Sequence, residues 1–151
     1  MFSIYNKYTA TALISFSIWI VANIINAILF AFIFSFAGNG DLDGIGIVLL
    51  FSAAFSLPDI LIFWMVFLVK CRKNNLFPVL LITAASVSLL SVVLFFLYLA
   101  ISFGADRGMW IIIVPVLAAI AATAIHRRAI NDVVVTQNEM YESKNSATLE
   151  T

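Results

Sequence analysis

The stretch SLPDILIFWMVFLVKCRKNN, residues 56–75, closes a long apolar run on three cations, Lys70, Arg72 and Lys73. An apolar run that stops abruptly at lysines and arginines reads as a membrane-spanning helix meeting its cytoplasmic edge. The same stretch carries a helix breaker and a carboxylate, Pro58 and Asp59, about ten residues before that edge. At about 1.5 Å per residue, Asp59 then lies roughly 16 Å into a bilayer whose apolar core is about 30 Å thick.

The rest of the chain agrees with a membrane solvent. Of 151 residues, 64% are hydrophobic and 11% charged, and the mean hydropathy is +1.11. A soluble domain carries about 25% charged residues. Four apolar segments stand out, at about 8–37, 45–69, 77–103 and 109–125. Each is long enough to span as a helix, the fourth only just. Barrel strands would be about half as long and would alternate apolar with polar. The first segment is too long for a secretory leader, so it is expected to be retained as a transmembrane helix. The links GNGDLDG (38–44), KCRKNN (70–75) and GADRG (104–108) are short, which forces neighbouring helices to be antiparallel. The expected fold is therefore all-α: an integral membrane protein with four transmembrane helices in an up-down antiparallel bundle, helix two kinked at Pro58. Residues 129–151 are expected to form a tail, helical at first with Ile130, Val133, Val134 and Tyr141 near one face, and disordered from about Ser143.

Orientation follows from the cations. Lys7, Lys70, Arg72, Lys73, Arg127 and Arg128 fall at one end of such a bundle, and Arg107 alone at the other, with Asp41, Asp43 and Asp106. Both termini are expected in the cytoplasm, and a bacterial inner membrane is the expected location.

Antiparallel packing also places residues by depth. Asn23 of the first segment and Ser88 of the third fall at the height of Asp59, with Asn26 one turn further out on the face of Asn23 and Trp19. An ionised carboxylate at that depth costs about 2.5–3.5 kcal/mol on insertion scales. Asp59 escapes that cost by carrying its proton or by facing polar neighbours, so Asp59, Asn23, Asn26 and Ser88 are expected to form a polar layer inside the bundle. The layer either fixes helix register through hydrogen bonds or handles a proton or cation. SLPD also has the spacing of a capping box, Ser56 as N-cap and Asp59 three residues on. In the fourth segment Ala118 with Ala122, and Ala119 with Thr123, make a small-xxx-small pattern for close helix approach, either to the third segment or across a homodimer.

Several chemistries lack a footprint in the sequence. One cysteine, Cys71, excludes an internal disulfide or a redox pair, and one histidine, His126, excludes a His-rich metal site. No Gly-rich phosphate loop or basic nucleic-acid face occurs. No cofactor, metal, nucleotide or nucleic-acid partner is expected, and no catalytic set. The general layout, four helices with both ends inside and little soluble mass, is similar to that of membrane immunity proteins against pore-forming bacteriocins, and this similarity carries over no residues. The leading expectation is a non-enzymatic interaction or accessory factor in the bilayer, meeting a membrane protein partner or further copies of itself. The alternative is a small oligomeric transporter or channel that couples protons or cations through Asp59.

Overall fold

The structure, a computed structural model, describes residues 6–36, 50, 53–54, 56–72, 75–103 and 113–149. Those residues form an all-α arrangement of five helices: α1 Lys7–Phe36, α2 Leu57–Lys70, α3 Leu76–Phe103, α4 Ile113–Ile125 and α5 Arg127–Leu149. α1 runs for 30 residues without a glycine or proline to interrupt it. α2 and α3 take their prolines, Pro58 and Pro78, in the first turn, where a missing N–H breaks no intrahelical bond.

α1 packs on α2 and α4, and α3 packs on the same two helices. The four therefore close a ring in chain order. Two side-chain bonds fix the relative direction of α1 and α2: Trp19 Nε1 donates to Ser56 Oγ at 2.9 Å, and Trp64 Nε1 donates to Thr11 Oγ1 at 3.1 Å. Going up α1 means going down α2, so the pair is antiparallel, as the short links require.

Polarity is arranged inside out. Thr11, Ser15, Asn26, Ser88 and Thr123 are buried, while Phe16, Ile24, Ile28 and Phe32 of α1, Leu61 and Met65 of α2, Leu90 and Leu94 of α3 and Leu117 of α4 are exposed. Exposed apolar side chains on all four helices exceed what a water-soluble monomer tolerates. Within the ring, Ile14, Ile18, Phe63, Phe67, Leu80, Ala84 and Ala122 form the packed centre. Phe63 meets Phe67 edge to face at 6.5 Å, a favoured aromatic geometry. Ala118, Ala122 and Thr123 are buried and Ala119 is half-buried, so the small-residue pattern is used in packing α4 inside the chain.

Two helices, over Lys7–Ile33 and Leu76–Phe95, are long and apolar enough to cross a membrane, and α4 with α5, bent by 52° at His126, makes a third if counted as one span. This is fewer than the four expected. α2 and α4 have 14 and 13 residues, about 20 Å of helix each, which is short of a bilayer core. In the second and fourth apolar segments, 45–49, 51–52, 55 and 109–112 lie outside the described residues. Ala53 and Ala54 are helical, Ser56 is a turn residue with helical dihedral angles, and α2 runs from Leu57 with Pro58 in its first turn. Residue 55, on which a continuous helix kinked at Pro58 depends, lies outside the described residues.

The cations Lys7, Arg72 and Arg127 gather at one end. Lys7 and Arg72 border a common groove with Gln137 and Tyr141 of α5. Arg72 lies 4.3 Å over the Tyr141 ring and Arg127 lies 5.1 Å over Phe77, both within cation–π range. Lys70 and Arg128 flank the same turns, and Lys73 lies outside the described residues. α5 folds back under this end, burying Ile130, Val133 and Gln137. It remains helical past Ser143, where disorder is expected from composition, as far as Leu149. Replacing the fully buried Ile130 by aspartate is expected to cost about 3 kcal/mol of α5 docking. Tryptic cleavage at Arg127 and Arg128 in mild detergent should then accelerate roughly a hundredfold; an unchanged rate would mean that α5 is not held by this face.

Candidate functional site: a cavity between the helices

One cavity of about 90 Å³ lies between the helices. Asp59, Asn23, Asn26 and Ser88, the four residues placed together by depth, all line it. Ser15, Trp19 and Ser56 join them, and Ile18, Phe63, Ala84 and Pro115 supply apolar wall. By its volume the space holds several water molecules.

Each polar member is positioned by a traceable contact. Asp59 is the third residue of α2, in the first turn, where a carboxylate answers the positive end of the helix dipole. Its Oδ1 accepts a hydrogen bond from Ser91 Oγ of α3. Sequence reasoning does not pair Ser91 with Asp59. Ser91 is three residues beyond Ser88, so the two share a face and the depth estimate is off by less than one turn. Asn23 donates through Nδ2 to the carbonyl of Trp19 at 2.9 Å, which leaves its amide oxygen as the end not engaged by that bond. Asn26 is 4% exposed.

Ser56 and Asp59 occupy capping-box positions, yet Ser56 makes no side-chain cap bond. Its hydroxyl donates to the Ala53 carbonyl at 3.0 Å and accepts from Trp19. Both polar side chains are drawn to neighbouring helices, and the box does not close. The backbone compensates: the N–H groups of Asp59 and Ile60 both reach the Ser56 carbonyl, at 3.1 and 3.4 Å.

Ser15 stands apart from the other hydroxyls. Thr11, Thr83 and Thr123 each donate to a carbonyl one turn back, at 2.7–2.8 Å, the ordinary outcome in an apolar helix. Ser15 is 1% exposed, and its Oγ has no hydrogen-bond partner among the described residues.

His126 makes a further polar tie across the ring. Its Nδ1 lies 2.8 Å from the Ala122 carbonyl and its Nε2 lies 2.9 Å from Ser17 Oγ. A carbonyl only accepts, so Nδ1 carries a hydrogen; in the neutral ring Ser17 donates to Nε2. This couples the α4–α5 bend to α1 and leaves no nucleophile–base–carboxylate relay. Trp64, whose position on the chain suits an interfacial belt, turns inward to Thr11 instead. Tyr5, Trp110, Asp41, Asp43, Asp106 and Arg107 lie outside the described residues. No group of three or more metal-ligating side chains occurs among the described residues.

Comparison with protein-family models, curated proteins and solved structures gives no match.

The Trp19–Ser56 bond is expected to be worth about 0.6–1.7 kcal/mol, the range of interhelical bonds in membrane bundles. Trp19→Phe, Ser56→Ala and the double variant, compared by reversible unfolding in mixed micelles, should give a coupling energy in that range. A coupling near zero would remove this bond as the determinant of where α2 begins.

Proposed function

We propose that the chain is a four-pass integral membrane protein of the cytoplasmic (inner) membrane, with both termini in the cytoplasm. It acts there without catalysis, as an interaction or accessory factor for a membrane protein partner; protection against a membrane-active toxin is one instance. The observation that carries this reading is the two-faced α5. Ile130 and Val133 seal it against the basic end of the bundle, while Asp132, Glu139 and Glu142 are exposed on its outer side. A polar helix held rigidly at the membrane surface is a docking platform. Reporter fusions after Phe36 and after Leu149 test the topology: the first is expected outside and the second in the cytoplasm. For the function, a partner that copurifies with the tagged chain in mild detergent should be lost on combined Asp132→Lys and Glu139→Lys substitution with helix content unchanged. Recovery of the wild-type chain only as a homo-oligomer would overturn the partner reading.

The cavity favours a second reading, a small transporter or channel that couples cations or protons through Asp59. Its support is the meeting of Asp59, Asn23, Asn26 and Ser88 around one space. Reconstituted in liposomes, the wild-type chain should carry ion or proton flux that Asp59→Asn lowers at least tenfold; flux untouched by that substitution would exclude Asp59 from it.

A further inference from the structure

We propose that the groove at the basic end of the bundle binds the headgroup of one anionic phospholipid. Lys7 and Arg72 hold the phosphate, and Gln137 holds the hydroxyl-bearing head. The proposal goes beyond both readings of function above and needs only that α1 and α3 cross a bilayer.

The groove lies between the start of α1, the turn that follows α2 and the middle of α5. Its two cations face aromatic rings. The Lys7 ammonium lies 5.0 Å over Tyr8 and the Arg72 guanidinium 4.3 Å over Tyr141. Among the described residues neither cation makes an ion pair or donates a hydrogen bond. A ring face steadies a guanidinium but leaves its in-plane N–H groups without acceptors. Arg72 therefore keeps the fork that matches a phosphate.

Gln137 supplies an independent observation. It lines the groove and is 8% exposed, yet its side-chain amide makes no hydrogen bond among the described residues. A buried amide without a partner is unfavourable, and a ligand that both donates and accepts relieves it. The hydroxyl groups of a glycerol head do both.

Charge selects the class of lipid. Among the described residues, the charged side chains lining the groove are Lys7, Arg72 and Glu139, two cations and one carboxylate. One phosphodiester cancels the net positive charge. A zwitterionic head, which adds an ammonium to the phosphate, leaves it uncancelled.

Position selects a lipid over a soluble phosphate ester. Tyr8 and Tyr141 are exposed beside the cations, and aromatic residues with a polar tip settle at headgroup level. The outward apolar surface begins close by: Val69, three residues before Arg72, and Leu13 of α1 are exposed. Acyl chains joined to a head in the groove lie along such surface, and a free phosphate ester has nothing to place there. The groove, about 670 Å³, also falls in the range that organic molecules occupy, about 300–1,000 Å³.

The test counts bound lipid on the full chain by native mass spectrometry in a neutral detergent. Phosphatidylglycerol is expected at one molecule per chain, at least tenfold tighter than phosphatidylethanolamine with the same acyl chains. Lys7→Gln and Arg72→Gln should each weaken it about fivefold, the effect of one basic residue near an anionic lipid. Arg128→Gln removes the same charge from the same end but outside the groove, and should leave binding within twofold. Gln137→Leu, close in size, should weaken binding about fivefold with helix content by circular dichroism unchanged. Soluble glycerol phosphate in hundredfold excess should not displace the lipid. Equal binding of the two lipids overturns the proposal, as do equal losses from Arg72→Gln and Arg128→Gln, or full binding by Gln137→Leu. Displacement by glycerol phosphate overturns the lipid as the occupant and assigns the groove to a soluble phosphate ester.

Discussion

Two indole N–H groups exchanged between α1 and α2 set the frame in which the other contacts form. Trp19 reaches Ser56 and Trp64 reaches Thr11, so the helices are pinned at two heights about 12 Å apart along the axis. Tryptophan suits this role because its ring packs like any apolar side chain and its one donor must find an acceptor when buried. The upper pin falls where α2 begins. It engages the Ser56 hydroxyl, which makes no cap bond, directly before Leu57, the first residue of α2. The Phe16 ring, itself exposed, stacks on Trp19 at 5.6 Å and supports the upper indole from the outer side.

The inside-out distribution of polarity follows from that frame. In lipid, apolar burial between helices supplies little driving force, because the tails are as apolar as leucine. Close packing and hydrogen bonds hold such a bundle together. The centre accordingly combines small residues, Ala84, Ala118 and Ala122, with hydroxyls such as those of Thr123 and Ser17 that bond within their own helix or across to the next, Ser15 being the exception. The largest apolar side chains are divided: Phe63 and Phe67 fill the interior, and Phe16 and Phe32 face out.

The all-α class, the presence of helices apolar enough to cross a membrane and the antiparallel order of α1 and α2 were legible in the sequence. Charge asymmetry and short links fix helix direction, and direction with a constant rise per residue fixes depth. That places Ser88 within one turn of Ser91, the residue that meets Asp59, whereas the Trp19–Ser56 bond sets Asn23 roughly 10 Å along α1 from the height of Asp59. Rotation about each helix axis was not legible. It decides whether Asp59 meets Ser88 or Ser91, and it turns Trp64 inward to Thr11. Local signals misled where a tertiary partner outbid them. Ser56 and Asp59 read as a capping box, but Trp19 engages the Ser56 hydroxyl and Ser91 engages Asp59, so the box does not close. The tail misled in the opposite way: its end is polar enough for disorder, yet burial of Ile130, Val133 and Gln137 anchors a helix that then continues outward.

Cys71 is 3% exposed, and its thiol donates to the Leu68 carbonyl at 3.3 Å. It is held at the turn from α2 to α3, against the same packed centre as Phe67 and Leu76. The chain therefore offers no ready native thiol to water-soluble or lipid-phase reagents while folded. New cysteines placed at outward positions such as Leu61, Leu90 or Met140 would carry a probe specifically without Cys71 first being removed. The same shielding makes Cys71 a reporter of its own: it becomes reactive when the packing between α2, α3 and α5 opens.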